Sequence, residues 1–157
     1  MVQNVSADLI WEVTRNTSAF LLKRREAGGV QFSRDPLNLT NKHARKVRLL
    51  YEGFVNDKAY GIQPSENGGV EFTIKKANKY NKPAASLQKT TFGPSTSSRK
   101  VYKNIINSTV KRHYRADLQK EAVARASAIK KSQKPVKVQK ASKPRGKKAL
   151  AAAAKSE

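Results

Sequence analysis

The 157 residues are the size of one ordinary domain, or of a smaller domain with an appendage. The formal charge of +22 is spread unevenly: residues 1 to 71 hold 10 basic and 8 acidic side chains, residues 72 to 157 hold 23 and 3, and self-repulsion on that scale calls for a polyanionic partner. The absence of cysteine excludes disulfides, thiolate metal sites and a cysteine nucleophile, and no run approaches the roughly 18 apolar residues of a membrane-spanning helix.

The opening "MVQNVSADLIWEV" has no basic stretch before its apolar residues and carries Asp8 and Glu12, which argues against a secretory signal. The Asn-x-Ser/Thr triplets at Asn4, Asn16, Asn38 and Asn107 then read as chance. From Ser6 to Asn16, Leu9, Ile10 and Val13 recur at helical spacing behind a Ser6 N-cap, with Asp8 in the first turn, so a short amphipathic helix is expected with these three residues inward. Trp11, among aliphatic neighbours, is expected as a core anchor rather than a stacking platform.

Two short strands, "AFLLKRR" and "VQF", are expected on either side of Gly28 and Gly29, which supply the positive φ of a turn. The segment "NKHARKVR" then groups Lys42, His43, Arg45, Lys46 and Arg48 into a first basic cluster. A general base needs a positioned partner, and the other histidine, His113, lies seventy residues away. His43 is therefore expected at the surface or in contact with RNA.

Arg45 to Ile62 mixes branched and aromatic residues with polar ones, and "GVEFTIKK" alternates Val70, Phe72 and Ile74 with Glu71, Thr73 and Lys75 at a period of two. The loop "QPSENGG" between them makes an antiparallel pairing the economical topology. Residues 79 to 98 turn to Asn, Pro, Ser, Thr and Gly and read as a connector, with "KTTF" as one further edge strand.

After it, Val101, Ile105, Ile106 and Val110 fall on one face of a helix that Ser97 or Ser98 can cap. Its other face belongs to a second basic cluster of Arg99, Lys100, Lys103, Lys111, Arg112, His113 and Arg115, in which Tyr114 is either a π-face for a base or an edge of the core. A second helix starts at Asp117, turns Leu118, Ala122, Val123, Ala126 and Ile129 inward, and ends in Lys130 and Lys131, acid first and base last as the helix dipole favours.

Pro135 stops that helix. Beyond it the chain is too polar to fold alone. Lys131, Lys134, Lys137, Lys140 and Lys143 occupy every third position, and Pro135 and Pro144 favour polyproline II, which has three residues per turn. The expectation is a basic rail with lysines about 9 Å apart, continued by Arg145, Lys147 and Lys148, that follows phosphates without reading bases. The plainer alternative is a solvated lysine tail serving import or solubility.

The fold class expected is α+β: a small antiparallel sheet packed with an N-terminal helix and two C-terminal helices, followed by an extended basic tail. The body spans 1 to 130 and the tail 131 to 157. There is no Gly-rich phosphate loop, nucleophile elbow, His-Glu-x-x-His or tight carboxylate cluster. Accordingly no catalytic residue, metal site, cofactor or small-molecule substrate is expected. The chain reads as a binding protein and not an enzyme.

The stretches "LIWEVTRNTSAFLLKR", "DPLNLTNKHARKVRLLYEGF" and, most specifically, "YRADLQKEAVARASAIKKSQKPVK" resemble the eukaryote-specific large-subunit ribosomal protein family conventionally numbered twenty-eight, over about residues 6 to 140. The resemblance implies a small α+β body on ribosomal RNA of the large subunit, beside other ribosomal proteins and away from membranes, with a basic extension over the RNA. It further implies no homo-oligomer, a cytoplasmic ribosome as location, assembly in the nucleolus, and RNA contact spread over the 41 to 48 run, the 111 to 115 run and the rail to about Lys140. The ending "KKALAAAAKSE" departs from the family pattern. Two other readings stay open: a linker-histone-like chromatin protein on duplex DNA, suited by "KASKPRGKKALAAAAK", and a nucleolar ribosome-assembly factor with a related N-terminal domain. An RNA-modifying enzyme with a basic arm is disfavoured by the missing motifs.

Overall fold

The Ser6 hydroxyl accepts the Leu9 N–H at 3.3 Å and opens helix α1, Ala7–Thr14. The computed structural model of the chain describes residues 5–26, 28–43, 50–79, 81–136 and 145–147. α1 presents a different face from the one its aliphatic spacing suggests. Trp11 is buried at 7% exposure, while Leu9 at 55% and Val13 at 67% face outward. At 100° per residue Trp11 lies about 200° from both, so a two-turn helix can bury one side or the other. The indole, with the larger apolar surface, wins and packs on the His43 ring at a centroid distance of 5.2 Å.

Strands β1 (Leu21–Lys23), β2 (Gln31–Ser33) and β3 (Lys42–His43) form an antiparallel sheet in that order, with Gly28 and Gly29 at φ 67° and 74° in the β1–β2 turn, as the Gly-Gly pair implies. A second antiparallel sheet is built from β4 (Tyr60–Pro64), β5 (Val70–Lys75) and β6 (Leu87–Phe92). Ile62 pairs with Phe72, and Phe72 with Thr90. The single small sheet expected is thus two three-stranded sheets. The cause lies between β3 and β4, where side chains take the backbone groups that a strand ladder would need. Asp35 accepts the N–H groups of Gly53 and Phe54 at 2.9 and 3.2 Å, and Lys75 Nζ donates to the carbonyls of Gly53, Phe54 and Asn56 at 3.0, 3.4 and 2.7 Å. Residues 50 to 59 are turns for that reason, and the extended run starts only at Tyr60. Gly61 lets this region close up, because a Cβ there would collide with the Pro36 carbonyl.

The expected connector is more structured than its composition suggests. It holds a short helix α2, Pro83–Ser86, and the six-residue β6, which extends the edge strand expected at "KTTF". Helix α3, Ser98–Ser108, is capped by the Ser97 hydroxyl on the Lys100 N–H at 3.4 Å and buries Val101 and Ile105. It stops short of Tyr114: a 3-10 turn at Val110–Arg112 and left-handed residues His113 and Arg115, φ 51° and 49°, redirect the chain. Ile106 and Val110, expected inward, are only half-buried.

A second 3-10 turn, Ala116–Leu118, leads into α4, Gln119–Ser132. Leu118, Ala122 and Ala126 face Tyr60, Ile62, Val70 and Phe72 of the second sheet together with Val101 and Ile105, while Val123 is half-buried and Ile129 packs against the edge. The alanines let α4 lie close to the strands. Tyr114 belongs to the edge of the core: its hydroxyl accepts the Ala59 N–H at 3.0 Å and donates to the Lys75 carbonyl. Gln133 closes the body, its side-chain amide exchanging two hydrogen bonds with Gly69 at 2.9 and 2.7 Å.

Ile105→Ala should cost about 2–5 kcal/mol, the usual range for emptying a buried aliphatic site. Leu9→Ala on the outer side of α1 should stay within about 0.5 kcal/mol of the parent. Urea denaturation of both variants checks which faces are inward.

Candidate nucleic-acid interface

Thirty-three basic side chains cannot all serve one surface, and their hydrogen bonds divide them. One group is turned inward onto backbone carbonyls, where a donor-only cation fits. Arg115 spans Asp117 through Nε and Nη2 and reaches the carbonyls of Lys58 and Leu50 at 3.1 and 2.7 Å. Arg125 donates to the carbonyls of Ile62 and Leu39 at 2.7 and 3.3 Å, and burial lowers its pKa. Lys75, whose pKa burial also lowers, holds three carbonyls of the 53–56 turn. Lys130 is buried with Nζ 2.8 Å from the Pro94 carbonyl.

Among the residues singled out in the sequence, Arg115 and Lys130 are therefore occupied inside the body rather than presented to a partner. So is His43, which is only 3% exposed. Its Nε2 lies 2.7 Å from the Arg15 carbonyl and must donate there, while Nδ1 faces Glu52 Oε1 at 3.0 Å. Glu52, at 0% exposure, also faces the Ser33 hydroxyl and Asn38 amide at 3.3 and 3.4 Å. The surface position expected for His43 is corrected by this buried carboxylate. Burial raises the Glu52 pKa, and the His43 hydrogen bond and charge oppose the rise.

The second group points to solvent. Arg99, Lys100 and Lys103 are exposed on α3, and Lys111, Arg112 and His113 on the turn after it. Lys131 is exposed on the last turn of α4, helical rather than extended, and Lys134 follows it. The Lys130–Pro94 bond puts the end of α4 beside the start of α3, so Lys131 and Lys134 share one end of the helix pair with Arg99 and Lys100. Lys42 is exposed on β3, and Arg145 and Lys147 are exposed near the far end of the chain. Arg45, Lys46, Arg48, Lys137, Lys140, Lys143 and Lys148 lie outside the described residues. Lys79, Lys82 and Lys120 are exposed cations that the sequence reading passed over. The signal for Lys79 and Lys82 was present, since no acid occurs between Glu71 and Asp117, whereas Lys120 lies beside Glu121.

Among the described residues no cluster of His, Asp and Glu could hold a metal ion, and no helix is long and apolar enough to cross a membrane. The chemistry this surface offers is attraction of a dense anion by lysine and arginine, with no positioned acid or base among the outward-facing groups.

A model of the Ribosomal L28e protein family matches residues 9–132. The chain is 46% identical over 134 residues to large ribosomal subunit protein eL28 of Schizosaccharomyces pombe, an alignment covering 85% of this chain and 97% of that relative.

Because the Glu52 pKa is raised in the folded chain, its stabilising contribution is present below the ordinary value of 4.5 and is lost as pH rises through the folded-state value. Glu52→Gln removes that dependence. Thermal melts of parent and variant from pH 4.5 toward neutrality should show the difference moving in favour of the glutamine chain as pH rises. A constant difference would contradict the buried carboxyl.

Proposed function

The chain belongs to the ribosomal L28e protein family, and on that premise we propose that it is a structural component of the large ribosomal subunit of the cytoplasmic ribosome that binds and stabilises ribosomal RNA by neutralising phosphates. The family is one of ribosomal structural proteins, so the chain is not an enzyme. The observation that carries the RNA reading is the sorting of cations. The inward ones are consumed by carbonyls, and those of α3, its following turn and the end of α4 have no hydrogen-bond or ion-pair partner among the described residues. A body whose acids are few and partly buried has nothing of its own to quench them, and phosphate supplies the opposite charge.

The second cluster and the basic residues from Lys131 onward make the RNA contacts in this reading, joined by the 41 to 48 run. Contact is mainly to the RNA backbone, so it positions the body without reading sequence. Neighbouring ribosomal proteins are the second class of partner, and assembly takes place in the nucleolus. The family membership leaves the linker-histone-like reading without a supporting observation.

Phosphate neutralisation has a salt signature. With 6 to 10 contacts, affinity of the full chain for a large-subunit RNA fragment should fall about 10³- to 10⁵-fold between 50 and 200 mM salt. Filter binding over that range measures it, and a flat response would overturn the mechanism. Removal of residues 137 to 157 should weaken binding yet leave cooperative unfolding intact, because the core and the Gln133–Gly69 clasp lie before that point. In cells, the tagged chain should travel with the large subunit through a high-salt gradient. Its recovery with chromatin instead would sink the ribosomal assignment.

A further inference from the structure

α3 and α4 do not close fully on their outer side. They leave an open groove of about 580 Å³ walled by Tyr102, Ile106, Val123 and Ala124. That volume is within the range of ordinary small-ligand sites, which run from about 300 to 1,000 Å³. Gln119 and Ser127 add side chains able to donate and accept hydrogen bonds, and neither they nor the Tyr102 hydroxyl has a side-chain partner among the described residues.

The rim is cationic. Lys120 lines the groove, Arg99 and Lys103 stand three residues before Tyr102 and Ile106 on α3, and Lys131 stands four residues after Ser127 on α4. At helical spacing these positions lie on the same faces as the walls. No carboxylate lines the groove. An apolar slot with one aromatic ring, free amide and hydroxyl groups, and lysine and arginine at its edge matches the chemistry of a nucleotide in every part. The base takes the slot, and its flanking phosphates take the cations. A cationic protein segment would be repelled by the same rim.

We propose that the α3–α4 groove seats an unpaired base of single-stranded RNA, stacked on Tyr102, with Lys120 and Lys103 on the adjoining phosphates. The proposal rests on the RNA reading above and adds a base-dependent contact to a surface otherwise argued from phosphate alone. The site favours a looped-out or single-stranded nucleotide over a duplex, whose bases are stacked and out of reach.

The test uses the full chain, a short oligouridylate, and an abasic strand of the same length and phosphate count. The base-bearing strand should bind about tenfold tighter, the scale of one stacking contact. Tyr102→Ala should erase that difference. Because Tyr102 also packs against the core, Ala124→Leu provides a second variant: residue 124 is exposed on α4, lines the groove and is not among the core residues, so a larger side chain there should obstruct the groove and leave the fold intact. It too should bind both strands equally. Lys120→Ala should weaken both strands alike and keep their ratio. Equal affinity of the parent for the two strands overturns the base seat and leaves phosphate neutralisation standing. Failure of both strands to bind at low salt would instead overturn the RNA reading itself.

Discussion

Charge repulsion is the constraint on which this body is built. A rear half carrying +20 must fold around a shared core, and it has Asp117, Glu121 and Glu157 as its only acids. Conventional ion pairing is not available in that quantity. Instead, four of the cations nearest the core are spent on backbone carbonyls: Lys75, Arg115, Arg125 and Lys130 each tie a loop or strand end that would otherwise leave its acceptors unpaired. Burial of a charged group is costly unless its donors are filled. Each of these has at least one carbonyl acceptor and Lys75 has three, and the same contacts anchor the sheet, the 53–56 turn and the loop before α3 to one another.

The front half solves the complementary problem. It has 8 acids to 10 bases, and two of the acids go inside. Asp35 accepts three backbone N–H groups, from Leu37, Gly53 and Phe54, which is enough to hold a carboxylate in a buried position. Glu52 shares a proton-bearing contact with His43 and takes further donors from Ser33 and Asn38. Around these two carboxylates the short β1–β3 sheet, the Trp11 helix and the 50–59 turns are stitched together, although little aliphatic surface is buried there. The first sheet is held by polar satisfaction and the second by hydrophobic packing.

This division separates anchoring from presentation. Many of the cations that remain outside sit on helices α3 and α4 and on the tight turn joining them, elements locked against the second sheet by Val101, Ile105, Ala122 and Ala126. A rigid mount favours the proposed phosphate contact, because charges at fixed spacing lose less conformational entropy on binding than lysines on a free chain.

Sequence alone determined the charge asymmetry, the binding rather than catalytic character, the Ser6 cap, the period-two strand at Val70–Lys75, the Gly28-Gly29 turn and the alanine-rich inner face of α4. Each is a local property, fixed by spacing, composition or backbone freedom within a few residues. Tertiary structure decided the rest: which side of α1 faces inward, the division into two sheets, the burial of His43, and the inward use of Arg115 and Lys130. Those outcomes depend on partners far along the chain, such as Glu52 for His43, Leu50 and Lys58 for Arg115, and Pro94 for Lys130. A lysine or arginine carries the same letter whether it meets solvent or a carbonyl, and only the folded path of the backbone brings that carbonyl within reach.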